Sequence, residues 1–162
     1  MVYRLTNSII NKNYDPKIAP VLNASERVGV NVSVTLHAVV SQKSPQMLEV
    51  FGQLDLHWRD AFLHWSPDDY DILKSISIGP DHIWTPDIEI LHTGATPWLQ
   101  QRSQAQRPIL SHDGTVRQLI YFEASVLCNL CAAAEQQCEF RYEANSRSTV
   151  CDKCSNSLLF YF

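Results

Sequence analysis

Five cysteines carry the most regular chemical spacing in this chain. Cys128-x2-Cys131 and Cys151-x2-Cys154 stand nineteen residues apart, which fits a four-thiolate zinc site gripped by two paired turns. Neither pair has the glycine-bearing turn that such knuckles use. The odd count leaves at least one thiol over if all pairing is intramolecular. The six histidines, His37, His57, His64, His82, His92 and His112, form no His-x3-His pair and offer no helical metal grip. Asp68-Asp69 and Asp87-Ile88-Glu89 could be paired carboxylates for acid–base work. Turn capping and a solvated strand face explain them more simply. No G-x-S-x-G, P-loop or G-x-G-x-x-G occurs. No catalysed reaction and no cofactor are expected.

Composition narrows the remaining classes. The chain has 162 residues, enough for one domain with a core of its own. Its hydrophobic share of 45% and charged share of 19% are those of a globular protein and exclude disorder. A net charge of −4 without a block of basic residues argues against nucleic acid and against an anionic membrane surface as partners. No apolar run approaches the roughly twenty residues of a membrane helix. Met1 to Asn7 lacks the apolar stretch of a secretory leader, so the chain is expected to be cytosolic or to lack its leader here. Two sequons, Asn23-Ala24-Ser25 and Asn31-Val32-Ser33, are compatible with secretion.

The elements that must position any site are mostly strands. Residues 2 to 12 place Val2, Leu5 and Ile9 on one face of a short helix, which Tyr14-Asp15-Pro16 ends. Val28 to Val40 alternates cleanly: Val28, Val30, Val32, Val34, Leu36, Ala38 and Val40 to one side, Asn31, Ser33, Thr35 and His37 to the other. A turn over Ser41 to Gln46 leads to a second alternating strand. Leu48, Val50, Leu54, Leu56 and Trp58 face inward there, and Glu49, Gln53, Asp55 and His57 outward, which reads as a hairpin. Ser66-Pro67-Asp68-Asp69 is a turn, Ile72 to Ile78 a short patterned segment, and Thr93 to Pro108 a polar loop. Asp113-Gly114 turns the chain into a strand from Val116 to Val126. Many short strands and little helix predict an all-β, immunoglobulin-like β-sandwich with a short N-terminal helix.

Trp84-Thr85-Pro86-Asp87 is the stretch around which the rest is organised. Pro86 gives no amide to a ladder and holds Thr85 out of the helical region. Trp84 supplies a large apolar body, and Asp87 can accept backbone hydrogen bonds to pin the bend. Upstream stand Trp58-Arg59-Asp60 and Trp65-Ser66-Pro67-Asp68-Asp69-Tyr70. These three blocks, W-x-D, W-x-P-x-D-Y and W-x-P-D in that order, resemble the extracellular ligand-binding domain of the Cys-loop, pentameric neurotransmitter-gated receptors and the soluble acetylcholine-binding proteins. Asp113-Gly114 followed by a strand ending at Cys128 is similar to the same pattern. The resemblance covers residues 1–142 as an incomplete domain, with 143–162 as a divergent tail.

The resemblance implies a disulfide between Cys128 and Cys138, closing a loop shorter than the family's and without its Phe-Pro tip. It also implies a small neurotransmitter-like ligand bound at a subunit interface, partner subunits in a pentamer, and a place on the extracellular face of the plasma membrane. The family's aromatic cage holds a quaternary ammonium by cation–π attraction. Three of its rings are replaced here, by Gln53, Leu91 and Asn145, so poor quaternary ammonium binding is expected. Gln53, Arg117 and Leu119 remain as contacts on the complementary face. The strands that would carry the family's adjacent cysteines lie beyond Phe162, so a truncated domain is expected. Alternatives are a soluble binding protein, which the missing tip favours, and a zinc-stabilised interaction domain using Cys128, Cys131, Cys151 and Cys154.

Overall fold

A computed structural model describes residues 2–10, 14–23, 25–41, 47–91, 102–130, 136–144, 148–150 and 157–161. Its centre is three long antiparallel strands: β1 (Val28–Ser41), β2 (Met47–Arg59) and β7 (Thr115–Leu130), with β2 in the middle. β2 pairs with β7 from Met47↔Leu127 to Arg59↔Thr115 without a register break. Val50, Leu54, Leu56 and Trp58 are therefore all buried on one face, with Val116 and Phe122 of β7 beside them. The residues between them point the other way and build a polar face.

β1 departs from strict alternation. The ladder to β2 runs from Val30↔Trp58 to Leu36↔Gly52, then resumes at Ala38↔Phe51, so His37 is the extra residue of a bulge. One inserted residue reverses the facing of everything after it. Val39, not Val40, lies opposite the buried Val50, and Ala38, Val39 and Val40 are all exposed. The uniform apolar face expected through Val40 thus ends at Leu36. The bulge sits beside Gly52, where an added Cβ would lie 2.6 Å from the Thr35 carbonyl oxygen and 2.7 Å from the Phe122 ring. Only glycine lets the strands approach so closely there.

β7 joins two sheets. On one side it pairs with β2, β5 (Arg102–Ala105) and β6 (Ile109–Ser111), and β6 pairs in turn with β3 (Ser75–Ser77). Its last residues, Cys128 to Leu130, pair with β8 (Gln136–Ala144), which also pairs with β4 (Ile88–Leu91) and β10 (Ser157–Tyr161). β9 (Ser148–Val150) runs parallel to Val28–Val30. The result is an all-β sandwich with one short N-terminal helix. β5 lies inside the stretch from Thr93 to Pro108 that reads as a loop. Its Gln104 and Ala105 are exposed and it is held by backbone pairing, so no apolar alternation announces it.

The helix α1 (Val2–Ile9) covers one end of the core through its second turn. Leu5 is completely buried and Ile9 packs against the core, while Val2 is half exposed because the first turn overhangs it. The Ser8 hydroxyl bonds to the Leu5 carbonyl and lies 2.9 Å from the Tyr70 hydroxyl, tying α1 to the 3-10 turn Pro67–Tyr70. That turn ends on Asp71 and Ile72, both at positive φ. Ile72 is consequently turned out to solvent, and the patterned segment buries Ile76 and Ile78 in the core, with Leu73 half-buried against it.

Candidate functional site: the polar face and its brace

A buried hydrogen-bonded node fixes two of the tryptophan motifs, W-x-D and W-x-P-D, and the Asp113-Gly114 turn relative to one another. Asp60, directly after β2, is 1% exposed. Its Oδ1 accepts the Phe62 amide at 2.9 Å, and its Oδ2 accepts the Tyr14 hydroxyl at 2.6 Å. The same hydroxyl accepts the Trp84 backbone amide at 2.8 Å. One phenol therefore satisfies a carboxylate of W-x-D and an amide of W-x-P-D together. The Asp60 amide donates to the Gly114 carbonyl at 2.8 Å. Gly114 has φ +88°, and an added Cβ would stand 2.5 Å from the Asp60 carbonyl oxygen, so the Asp113-Gly114 turn can seat here only as glycine. Burial raises the Asp60 carboxyl above its ordinary value, against the bonds from Tyr14 and Phe62. Burial, then the carboxylate beside it, drives the Tyr14 phenol far up, so it stays a donor.

Trp84 and Pro86 are buried, and the Trp84 ring meets Trp58 edge to face with centroids 6.1 Å apart. Trp65 is buried too, its indole N–H donating to the Leu73 carbonyl at 2.8 Å. Asp87 differs from expectation. It is exposed and accepts no hydrogen bond among the described residues; Tyr14 pins the bend instead. The sequence marked Tyr14 only as part of a helix stop. Its pairing with Asp60 crosses forty-six positions, and no local pattern reports it.

The outward face of β2 and β7 collects three of the five sequence-derived ligand contacts. Gln53 lies opposite Tyr121, Asp55 opposite Leu119, and His57 opposite Arg117, so Gln53, Arg117 and Leu119 share one surface. Thr35, Ser33 and Asn31 continue that surface onto β1. The Arg117 guanidinium grips Asp55 through Nε to Oδ1 at 2.9 Å and Nη2 to Oδ2 at 2.7 Å. His57 Nε2 stands 3.1 Å from Asp55 Oδ1. The guanidinium holds the Asp55 carboxyl below its usual range, and Asp55 in turn raises Arg117. Tyr121, 41% exposed, is the aromatic surface of this face, with the bulged His37 ring at 6.5 Å. Counting by twos from Arg117 reaches Tyr121, which is the signal that could have found it.

Leu91 closes β4 opposite Arg141, in the other sheet, away from that surface. Asn145 lies outside the described residues, as do Cys131, Cys151 and Cys154 of the four-cysteine set. Cys128 and Cys138 stand directly opposite each other in the β7–β8 ladder. A cavity of about 570 Å³ opens beside Trp84, lined by Pro16, Lys17, Asp81, Thr85 and Asp87. Trp84 itself is part of the lining and is 5% exposed. Among the described residues no helix is long and apolar enough to cross a membrane.

Residues 2–149 match the neurotransmitter-gated ion-channel ligand binding domain family. The chain is 30% identical over 106 residues to the rat neuronal acetylcholine receptor subunit alpha-10, covering 65% of this chain and 23% of that protein. It is 30% identical over 115 residues to the rat neuronal acetylcholine receptor subunit beta-2, covering 70% and 23%. To the mouse 5-hydroxytryptamine receptor 3A it is 31% identical over 98 residues, covering 58% and 20%. The chain thus spans less than a quarter of the length of these relatives.

Proposed function

This chain belongs to the family of neurotransmitter-gated ion-channel ligand-binding domains, and we propose that it is the extracellular ligand-binding domain of a channel subunit. In that role it contributes one side of a site for a small neurotransmitter-like ligand, closed by a neighbouring subunit of a pentamer. One observation carries the reading: Gln53 of β2, distant in sequence from Arg117 and Leu119 of β7, shares one outward strand face with them and with Tyr121, a face exposed at Arg117 and Tyr121 and half-buried at Gln53 and Leu119. Gln53 brings an amide that both donates and accepts, Leu119 an apolar patch and Tyr121 a ring. Arg117, already spent on Asp55, orients the charge of the surface more than it offers a free cation. One exposed ring is a poor cage for a quaternary ammonium, so acetylcholine is expected to bind this face weakly.

A single face without its neighbour is expected to bind weakly, a regime that amide chemical-shift titration can read. Titrating the purified chain with 5-hydroxytryptamine and with acetylcholine should shift Gln53, Leu119 and Tyr121 and their strand neighbours. The acetylcholine shifts should saturate later, and Gln53→Ala should weaken both responses. Shifts centred on Lys17 and Asp81 would move the site to the cavity beside Trp84 and overturn this assignment.

The same reading includes a Cys128–Cys138 disulfide. Opposed residues of an antiparallel ladder have Cα atoms about 4.5–5.5 Å apart, inside the span a disulfide bridges. That register favours the pairing over the zinc alternative, since both claim Cys128. Peptide mapping without reductant should recover a linked Cys128–Cys138 fragment. One equivalent of tightly held zinc, with Cys128 reduced, would replace it by the four-thiolate site.

A further inference from the structure

We propose that Asn31 is an N-glycan acceptor whose sugar covers one end of the β1–β2–β7 polar face and leaves the Gln53–Tyr121 end open. Asn31 and Ser33 of the triplet Asn31-Val32-Ser33 are both exposed and both lie on that outward face, while Val32 turns toward the core. The Asn31 amide has no partner among the described residues. In the other sequon the Asn23 amide is engaged, donating to the Glu26 carboxylate at 2.7 Å.

The space around Asn31 is open. Two residues back on the same face stands Gly29, exposed, with nothing within 4 Å of where a Cβ would be. Two residues on stands the small Ser33. Across the ladder Asn31 faces His57, whose side chain is 42% exposed. A bulky, solvated substituent meets no packed neighbour there. Gln53 pairs with Thr35, four residues further along β1, or about 13 Å at the rise of a strand. A glycan rooted at Asn31 therefore stands over His57 and the near side of the Asp55–Arg117 pair. A neighbouring subunit can then approach closely only at the Gln53, Leu119 and Tyr121 end, which confines the ligand to that end.

The transfer requires a lipid-pyrophosphate-linked oligosaccharide as donor, supplied in the secretory pathway. The Asn31 Nδ2 forms a bond to the anomeric carbon as the anomeric C–O bond breaks. The electron pair leaves with the pyrophosphate, and Nδ2 releases one proton to a base of the transferase. No oxidant or reductant enters.

The inference rests on the extracellular placement proposed above, so the test imposes that compartment. The chain, carrying Asn23→Gln and led by a cleavable secretory leader, is expressed in cultured animal cells. It should show one mobility step removed by peptide N-glycosidase. Adding either Asn31→Gln or Ser33→Ala should abolish that step, whereas Ser33→Thr should keep it. Release in heavy-oxygen water should convert residue 31 to a labelled aspartate in the peptide map. An Asn23→Gln chain that enters the lumen and is secreted with Asn31 unmodified overturns the inference. Retention of the leader-bearing chain inside the cell, with none secreted, would instead count against the extracellular placement.

Discussion

Tyr14→Phe should destabilise the domain by about 2–4 kcal/mol, although it removes a single oxygen. That oxygen donates to Asp60 Oδ2 and accepts the Trp84 amide. Phenylalanine keeps the ring and its packing, and leaves both partners without their bond in a largely buried place. An unsatisfied buried polar group costs about 1–3 kcal/mol, with more for a charged one. The loss is therefore a sum over two orphaned groups and not the worth of one hydrogen bond. Urea unfolding of the purified protein and its variant would read the difference. A change below about 0.5 kcal/mol, the scatter of ordinary surface substitutions, would mean water replaces the hydroxyl and the node is not a brace.

The node also sets a pH signature. Asp60 has a native pKa raised by burial, so between the ordinary aspartate value and that raised value the folded chain holds more protons than the unfolded one. Stability from Asp60 accordingly falls as pH rises through that window. Asp55 and Asp113 are held low, by Arg117 and by the Thr115 amide respectively. Their contribution is present above the ordinary value and is lost as pH falls through their lowered native values. These groups together predict a stability that rises with pH below the ordinary carboxylate value and declines just above it. Tyr14→Phe removes a bond that lowers Asp60, so its declining limb should extend to higher pH than in the parent.

Strand identities were legible because period-two alternation follows directly from one buried face: β1 as far as Leu36, β2, and β7 from Val116. The bulge at His37 was not, since a one-residue insertion into a ladder leaves the valine-rich composition unchanged while reversing what faces the core. β5 was hidden for the opposite reason, being held by backbone pairing to β7 with polar side chains outward. At the candidate site, Gln53, Arg117 and Leu119 could be named from motif register and Tyr121 follows from Arg117 by the period of two, but that Tyr121 faces Gln53 needed the β2–β7 pairing. Asp87 illustrates the limit of local turn chemistry. A carboxylate after a proline looks like the natural pin for the bend, yet the pin is a tyrosine seventy positions away from Trp84.

Trp84→Ala is expected to be the more damaging of the two core changes, at about 3–5 kcal/mol, the usual range for deleting a buried large aromatic. Trp84 is 5% exposed and meets Trp58 at an interplanar angle of 82°. Edge-to-face pairs add about 0.5–1.5 kcal/mol to the area they bury. The Trp58 indole nitrogen is buried without a hydrogen-bond partner. An alanine at position 84 therefore leaves a cavity beside a polar atom that already lacks compensation. The consequence should travel along the chain. Trp84 anchors the segment entering β4, and β4 pairs with β8 from Ile88↔Ala144 to Leu91↔Arg141. β8 in turn places Cys138 opposite Cys128. Amide exchange should quicken across β4 and the facing half of β8 while β1 and β2 change little. Trp84→Phe, which keeps a ring against Trp58, should recover most of the stability and restore the slow exchange. Uniform loss of protection in Trp84→Phe, with β2 exchanging as fast as β4, would mean that Trp84 acts only as bulk in one core and does not tie the two sheets together.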